Sequence, residues 1–245
     1  MVTSIRGIFM ALIRPRGDRT LNQSFGDFLS PMAQRLTGIQ VDSKDARARA
    51  LQFQPCIYVG NHQSGLDLMT YGTMIPRAFV TIGKEEVKWI PVFGYVFRAY
   101  GNLLIRRQDR AHSVAGLKVA TQAIRDGWSV WIFPEGTRNR SGKGLLPFKK
   151  GAFHMAMQAQ VPLVPVISSS LSPLVSWKER RFRAGWVVIR TLDPIMPTNS
   201  DGSARSVTEL MELTRAAMLQ GLQSVNLQAM KLNGFRHEAW ESVGE

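Results

Sequence analysis

The chain has 245 residues, long enough for one large α/β domain with its own core, and its 44% apolar and 20% charged content excludes a disordered or collagen-like segment. A formal net charge of +13, from 31 Lys and Arg against 18 Asp and Glu, points to an anionic partner surface. Cys56 is the only cysteine, which excludes an internal disulfide and any multi-cysteine zinc or iron–sulfur centre and fits a reducing compartment.

At the N-terminus, Ile5, Ile8, Phe9, Leu12 and Ile13 fall at near-helical spacing beside Arg6, Arg14 and Arg16. That pattern fits a short helix lying in a membrane interface, or else a first helix packed on the core. No stretch reaches the roughly 18 uninterrupted apolar residues of a spanning helix. Residues 1–50 are therefore expected to form a membrane-associating helical segment, and residues 51–245 a single α/β domain.

Within that domain, short β-branched and aromatic runs predict strands at 56–60, 78–82, 103–105, 129–133, 163–168 and 186–192. Helical patterns fall between them at 66–75, 92–100, 111–125 and 152–160, and a long amphipathic helix is expected over 203–232. Its Met211 and Met218 suit packing better than a site. This alternation predicts a mostly parallel, buried sheet flanked by helices. Pro162 and Pro165 cannot donate to a ladder, so strand 163–168 is expected to be irregular or near an edge.

Candidate chemistry gathers where strands end. His62 and Asp67 follow the first strand of the domain, and Ser64-Gly65 between them can bend the chain so that the two side chains meet. A carboxylate on one imidazole nitrogen fixes the tautomer and leaves the other nitrogen to take a proton from a hydroxyl. The same Ser64-x-x-Asp67 spacing also reads as a capping box, and both can hold together.

A second group, Pro134 to Arg138, follows another strand and continues into Arg140, Lys143, Lys149 and Lys150. Pro134 and Gly136 suit a type I turn, while Arg138 offers a planar fork for phosphate oxygens. The run from Gly136 to Gly144 resembles a Walker loop, but it has one residue too many and no Ser or Thr after the Lys, which argues against nucleotide hydrolysis. Arg106 and Arg107 close a third strand, and Lys84 follows a fourth; each could clamp a phosphate or simply sit in solvent. Overall, residues 84–150 hold 13 basic and 5 acidic residues. The four histidines are too scattered for a metal-ligand helix, and no G-x-S-x-G elbow is present, so neither a metal cofactor nor a covalent acyl-enzyme is expected.

Assembled in order, these blocks resemble the lysophosphatidic acid acyltransferases of the glycerolipid acyltransferase superfamily, the bacterial 1-acylglycerol-3-phosphate acyltransferases above all. The family's N-H-x4-D block falls on Asn61 to Asp67, and its G-x-x-x-I-x-R block ends on Arg107. Its F-P-E-G-T-R block is Phe133 to Arg138, and its fourth block is Val161 to Val166. The resemblance covers residues 55–170. It implies a base at His62 supported by Asp67, and acceptor-phosphate contacts from Arg107 and from Glu135, Gly136, Thr137 and Arg138, with Lys84 as a further candidate from its position.

The implied reaction moves a fatty acyl group from acyl-CoA or acyl-carrier-protein to the 2-hydroxyl of lysophosphatidic acid, with no cofactor. The implied setting is an anionic membrane surface at the cytoplasmic face of the inner membrane, with no nucleic acid partner. A sibling acceptor such as lyso-ornithine lipid or glycerol-3-phosphate is the alternative. The position before Arg107 is often acidic in relatives but is Arg106 here, which leaves headgroup preference open.

Overall fold

The structure, a computed structural model, describes residues 18–106, 109–141, 143–176 and 178–235. The candidate interfacial helix within residues 1–17 and the candidate phosphate ligand Arg107 lie outside these residues.

Among the described residues, seven strands form one sheet in the order β1-β9-β6-β2-β5-β3-β4, and β7 with β8 forms a separate hairpin. The strands are β1 (Ile39–Asp42), β2 (Ile57–Gly60), β3 (Phe79–Lys84), β4 (Leu103–Ile105), β5 (Ser129–Ile132), β6 (Leu163–Ser168), β7 (Val175–Ser176), β8 (Arg181–Phe182) and β9 (Gly185–Thr191). The helices are α1 (Leu21–Thr37), α2 (Ala46–Leu51), α3 (Asp67–Thr70), α4 (Phe93–Ala99), α5 (Arg110–Arg125), α6 (Gly151–Ala159) and α7 (Val207–Asn233), with 3-10 turns at Tyr71–Met74 and Glu85–Trp89. Within the seven-stranded sheet every pairing is parallel except β6 with β9, so β1 and β9 run against the other five strands.

The sheet is covered on both faces, which is why its strands read as apolar runs. Ile57 and Val59 face a layer of α5, α6 and α7 that supplies Ile124, Phe153 and Met218. The alternate residues Cys56 and Tyr58 face Tyr71, Met74 and Trp131 on the other side. Burying each such Ile, Val or Phe side chain contributes about 1.5–3 kcal/mol. Within α7, Met218 is fully buried and Met211 packs on the same core, as packing residues rather than a site. The Ser206 hydroxyl caps this helix by accepting from the Glu209 amide, and Gly234 ends it in the left-handed region.

Two expectations are corrected. Strand β6 is neither irregular nor at an edge: it lies between β2 and β9 with every residue buried. Its tolerance of Pro165 has a local cause. The Pro165 carbonyl accepts from Leu192, so this residue faces the side where β9 has already ended at Thr191, and the ladder demands no donor there.

The boundary at residue 50 also does not divide the described chain, because β1 pairs with β9 and α1 packs on the Tyr71–Met74 turn. β1 was missed because it is a four-residue strand with a single buried side chain. Pro31 inside α1 interrupts a helical pattern that only packing sustains. Among the described residues, no helix is long and apolar enough to cross a membrane.

Candidate active site

β2, β5 and β3 run parallel, so their C-terminal ends, and the segments carrying His62, Glu135 and Lys84, meet at one edge of the sheet. Gly60 ends β2 because a Cβ there would lie 2.5 Å from the Trp131 ring, and the bare backbone can pass over Trp131 and Phe133. The Phe133 ring then stacks on His62, with centroids 4.1 Å apart and planes at 12°.

The chain bends after His62, and the Nδ1 of His62 comes within 2.6 Å of Asp67 Oδ2. That oxygen also accepts from the amides of Gln63 at 2.7 Å and Ser64 at 3.1 Å, while Ser64 Oγ accepts from Leu66. Asp67 therefore closes the bend that precedes α3 and also holds the imidazole. Its side chain is 2% exposed, against 23% for His62. With Nδ1 donating to a carboxylate, Nε2 carries the lone pair, and it enters no hydrogen bond among the described residues.

The Phe133–Gly136 turn closes with Gly136 donating to the Phe133 carbonyl at 3.1 Å. Glu135 turns inward and is buried. Its two carboxylate oxygens accept from the backbone amides of His62, at 2.8 Å, and Leu146, at 2.9 Å. Burial pushes its pKa above the ordinary value, and the nearby Asp67 adds to the rise. The two amides and His62 work against it. Glu135 thus clamps the histidine segment to the turn, with its carboxylate on backbone amides rather than on open space.

Arg138 and Thr137 are exposed and Gly136 is half-buried. An Arg138 guanidinium nitrogen lies 3.8 Å from where a Cβ on Gly65 would sit, which puts this cation beside the bend that carries the dyad. Lys84 is exposed at the end of β3, 3.8 Å from Glu86. Arg106 is not a free cation: its Nε lies 2.5 Å from Glu85, which also pairs with Lys88. Those two partners hold the Glu85 pKa near about 2. The extra charge at position 106 is thereby matched locally.

Sequence reasoning missed the layer beneath the dyad. Buried Asn61 donates to the Ser168 carbonyl at 2.9 Å, and its Oδ1 accepts from Ser168 N at 2.9 Å and from Tyr71 OH at 2.7 Å. Asn139, also buried, donates its amide to the His62 carbonyl at 2.7 Å and folds the following loop around its side chain. The available signal was an Asn-x-Ser turn pattern at 139–141. Cys56 is not a nucleophile candidate, since burial pushes its thiol up to about 12.

Fold and site define an α/β protein with a histidine held by a buried carboxylate at the edge where the parallel strands end. The chain belongs to the acyltransferase family: residues 38–169 match the family described as Acyltransferase. It is similar to the 1-acyl-sn-glycerol-3-phosphate acyltransferase of Salmonella typhimurium, with 34% identity over 227 residues, covering 92% of this chain and 89% of that one. The Haemophilus influenzae protein of the same name is 40% identical over 162 residues, 65% of each chain. The Escherichia coli protein of that name is 36% identical over 197 residues, 80% of this chain and 78% of that one. The crystal structure of the 1-acyl-sn-glycerophosphate (LPA) acyltransferase of Thermotoga maritima shares the fold with a TM-score of 0.68 at 23% identity, covering 91% of this chain and 88% of that one.

Proposed function

We propose that this chain is a 1-acyl-sn-glycerol-3-phosphate O-acyltransferase. The observation that carries the reading is the His62–Asp67 pair with its outward Nε2, beside the Arg138 guanidinium. Nε2 takes the proton of the lysophosphatidic acid 2-hydroxyl, and that oxygen attacks the thioester carbon of acyl-CoA or acyl-carrier-protein. The carbon–sulfur bond breaks, and the leaving thiolate takes the proton from His62, which gives the free thiol and restores the base.

Backbone amides near the dyad hold the oxyanion. Those of Gln63 and Ser64 are not among them, since Asp67 already engages both. Arg138, Arg107 and Lys84 bind the acceptor phosphate with Thr137, on the turn that Gly136 closes and Glu135 positions. No cofactor enters the scheme. The enzyme works on an anionic membrane at its cytoplasmic face, where the basic balance of the chain and the N-terminal apolar residues favour attachment.

The test is product analysis by mass spectrometry with both donors and a panel of lysolipids. Phosphatidic acid from lysophosphatidic acid is expected, and its loss in His62→Ala with the melting temperature kept. Product from lyso-ornithine lipid or glycerol-3-phosphate alone would overturn the acceptor assignment, and near-wild-type transfer by His62→Ala would overturn the base.

A further inference from the structure

The chain between β3 and α4 carries a surface that the acyl-transfer chemistry does not use. Trp89 is 76% exposed, Ile90 49%, Val92 79% and Tyr95 59%, a contiguous apolar projection rather than scattered residues. Its shape is fixed by the backbone. Val92 sits at φ +62° and ψ −54°, and Phe93 donates to the Pro91 carbonyl at 2.6 Å, which is the strained form of the γ-turn. A β-branched residue rarely adopts that conformation.

The turn is held against its neighbours. Gly94 donates to the Ile90 carbonyl at 2.8 Å, and a Cβ on Gly94 would lie 2.5 Å from the Val87 carbonyl oxygen and 2.6 Å from that of Lys88. The start of α4 therefore rests directly on the Glu85–Trp89 turn, and the Val92 side chain is pushed outward instead of folding back.

We propose that this projection, Trp89 to Val92 with Tyr95, is a membrane-inserting surface that seats in the headgroup region of an anionic phospholipid bilayer. The inference rests on the reading that the acyl acceptor is a membrane lipid. The chemistry fits an interface: Trp and Tyr join aliphatic side chains to a polar edge, and the Lys88 ammonium, paired with Glu85 at 2.6 Å, lies 5.0 Å over the Trp89 ring.

The charge of the chain complements an anionic surface: its net charge is +13, and Arg98, exposed one turn beyond Tyr95, has no ion pair among the described residues. The other side of α4 lines an apolar cavity through Phe93, Val96 and Phe97. Leu68, next to the catalytic Asp67, also lines that cavity, so α4 stands between the surface and the helix that carries Asp67.

Cys56 is fully buried, so a cysteine introduced at Val92 is the exposed thiol of the full-length chain and takes a fluorescent NBD label. The probe is read with vesicles of equal phosphatidylglycerol and phosphatidylethanolamine, some doped with lipid carrying a nitroxide quencher high on the acyl chain. The expected result is a blue-shifted emission that the nitroxide quenches, with no change for the label at Val119→Cys, an exposed position on α5. The double variant Trp89→Ser, Val92→Ser is expected to bind these vesicles at least about tenfold more weakly while its turnover of detergent-dispersed substrate stays within twofold.

Protein that co-sediments with vesicles while the Val92 probe stays unchanged would overturn this surface and leave membrane attachment through other residues standing. A blue shift without vesicles that grows with protein concentration would assign the surface to a second copy of the chain and overturn the inference. Loss of acyl transfer to lysophosphatidic acid would be seen separately, in the product assay.

Discussion

His62 Nδ1 and Asp67 Oδ2 lie 2.6 Å apart, and that one carboxylate oxygen carries all three of the donors described for Asp67, while buried Oδ1 has none. Asp67→Asn can therefore keep every hydrogen bond through its carbonyl oxygen, with its amide nitrogen in the place of Oδ1. What it loses is the charge that stabilises the imidazolium. The expected loss in kcat is about 10–100-fold, the scale separating a charge-assisted from a neutral hydrogen bond. Asp67→Ala also frees the ring, and its expected loss is about 10³–10⁴-fold. Steady-state kinetics on both variants checks the order, and equal losses would contradict this division of roles.

The legible part of this fold was the part whose signal is local. Strand β2 and strand β5 are runs of apolar residues followed by a turn, so both their positions and the chemistry at their ends could be read. The His62–Asp67 contact was legible because Ser64-Gly65 allows only a short bend. What stayed hidden depends on distant partners. Glu135 looks like a site carboxylate in the sequence, and only the approach of His62, 73 residues away, shows that its oxygens are occupied by amides. Asn61 is equally silent until Ser168, 107 residues on, arrives beside it.

Replacing Glu135 tests the clamp and gives a pH signature. Glu135→Gln puts an NH2 against one of two buried amide donors, and the expected cost is about 1–3 kcal/mol, or roughly 2–12 °C in Tm. Burial raises the folded pKa of Glu135 above its usual 4.5, so in the window just above 4.5 the folded chain holds this proton more tightly than the unfolded chain. The stability it contributes is fully present below that value and is lost as pH rises through the folded value. The Tm gap between wild type and Glu135→Gln is therefore expected to be widest below pH 4.5 and to narrow toward neutrality. Thermal melts from pH 3.5 to 7 would read it; a gap that widens with pH would contradict the sign.

Arg138 is exposed and stands beside the dyad-bearing bend, so its removal should spare the fold. Arg138→Ala is expected to raise KM for lysophosphatidic acid about 10–100-fold, the value of one or two charge-assisted hydrogen bonds, with kcat changed far less. Arg138→Lys keeps the charge but not the planar fork and should recover only part of the loss. A KM that stays at the wild-type value in both variants would remove Arg138 from the acceptor site.

Asn61 offers the sharpest test of the layer under the histidine. Asn61→Ala leaves the Ser168 amide unpaired in the core and its carbonyl with only the Gln63 Nε2 donor at 3.2 Å, with an expected cost of about 1–3 kcal/mol and a lowered kcat, because the next residue is His62. Asn61→Asp is more informative. Its carboxylate could still accept from Ser168 N and Tyr71 OH, but one oxygen would face the Ser168 carbonyl, close to the buried carboxylates of Asp67 and Glu135. Burial and like charge both favour the protonated form, so the folded pKa of the new acid is expected above the ordinary 3.9. Asn61→Asp should thus be near wild-type stability in mild acid, where an O–H replaces the lost N–H donor to Ser168, and should weaken steadily as pH rises through that raised value. Urea unfolding at pH 4 and pH 8 would show this as a stability deficit present mainly at the higher pH, and an equal deficit at both would mean the Ser168 carbonyl does not need its donor.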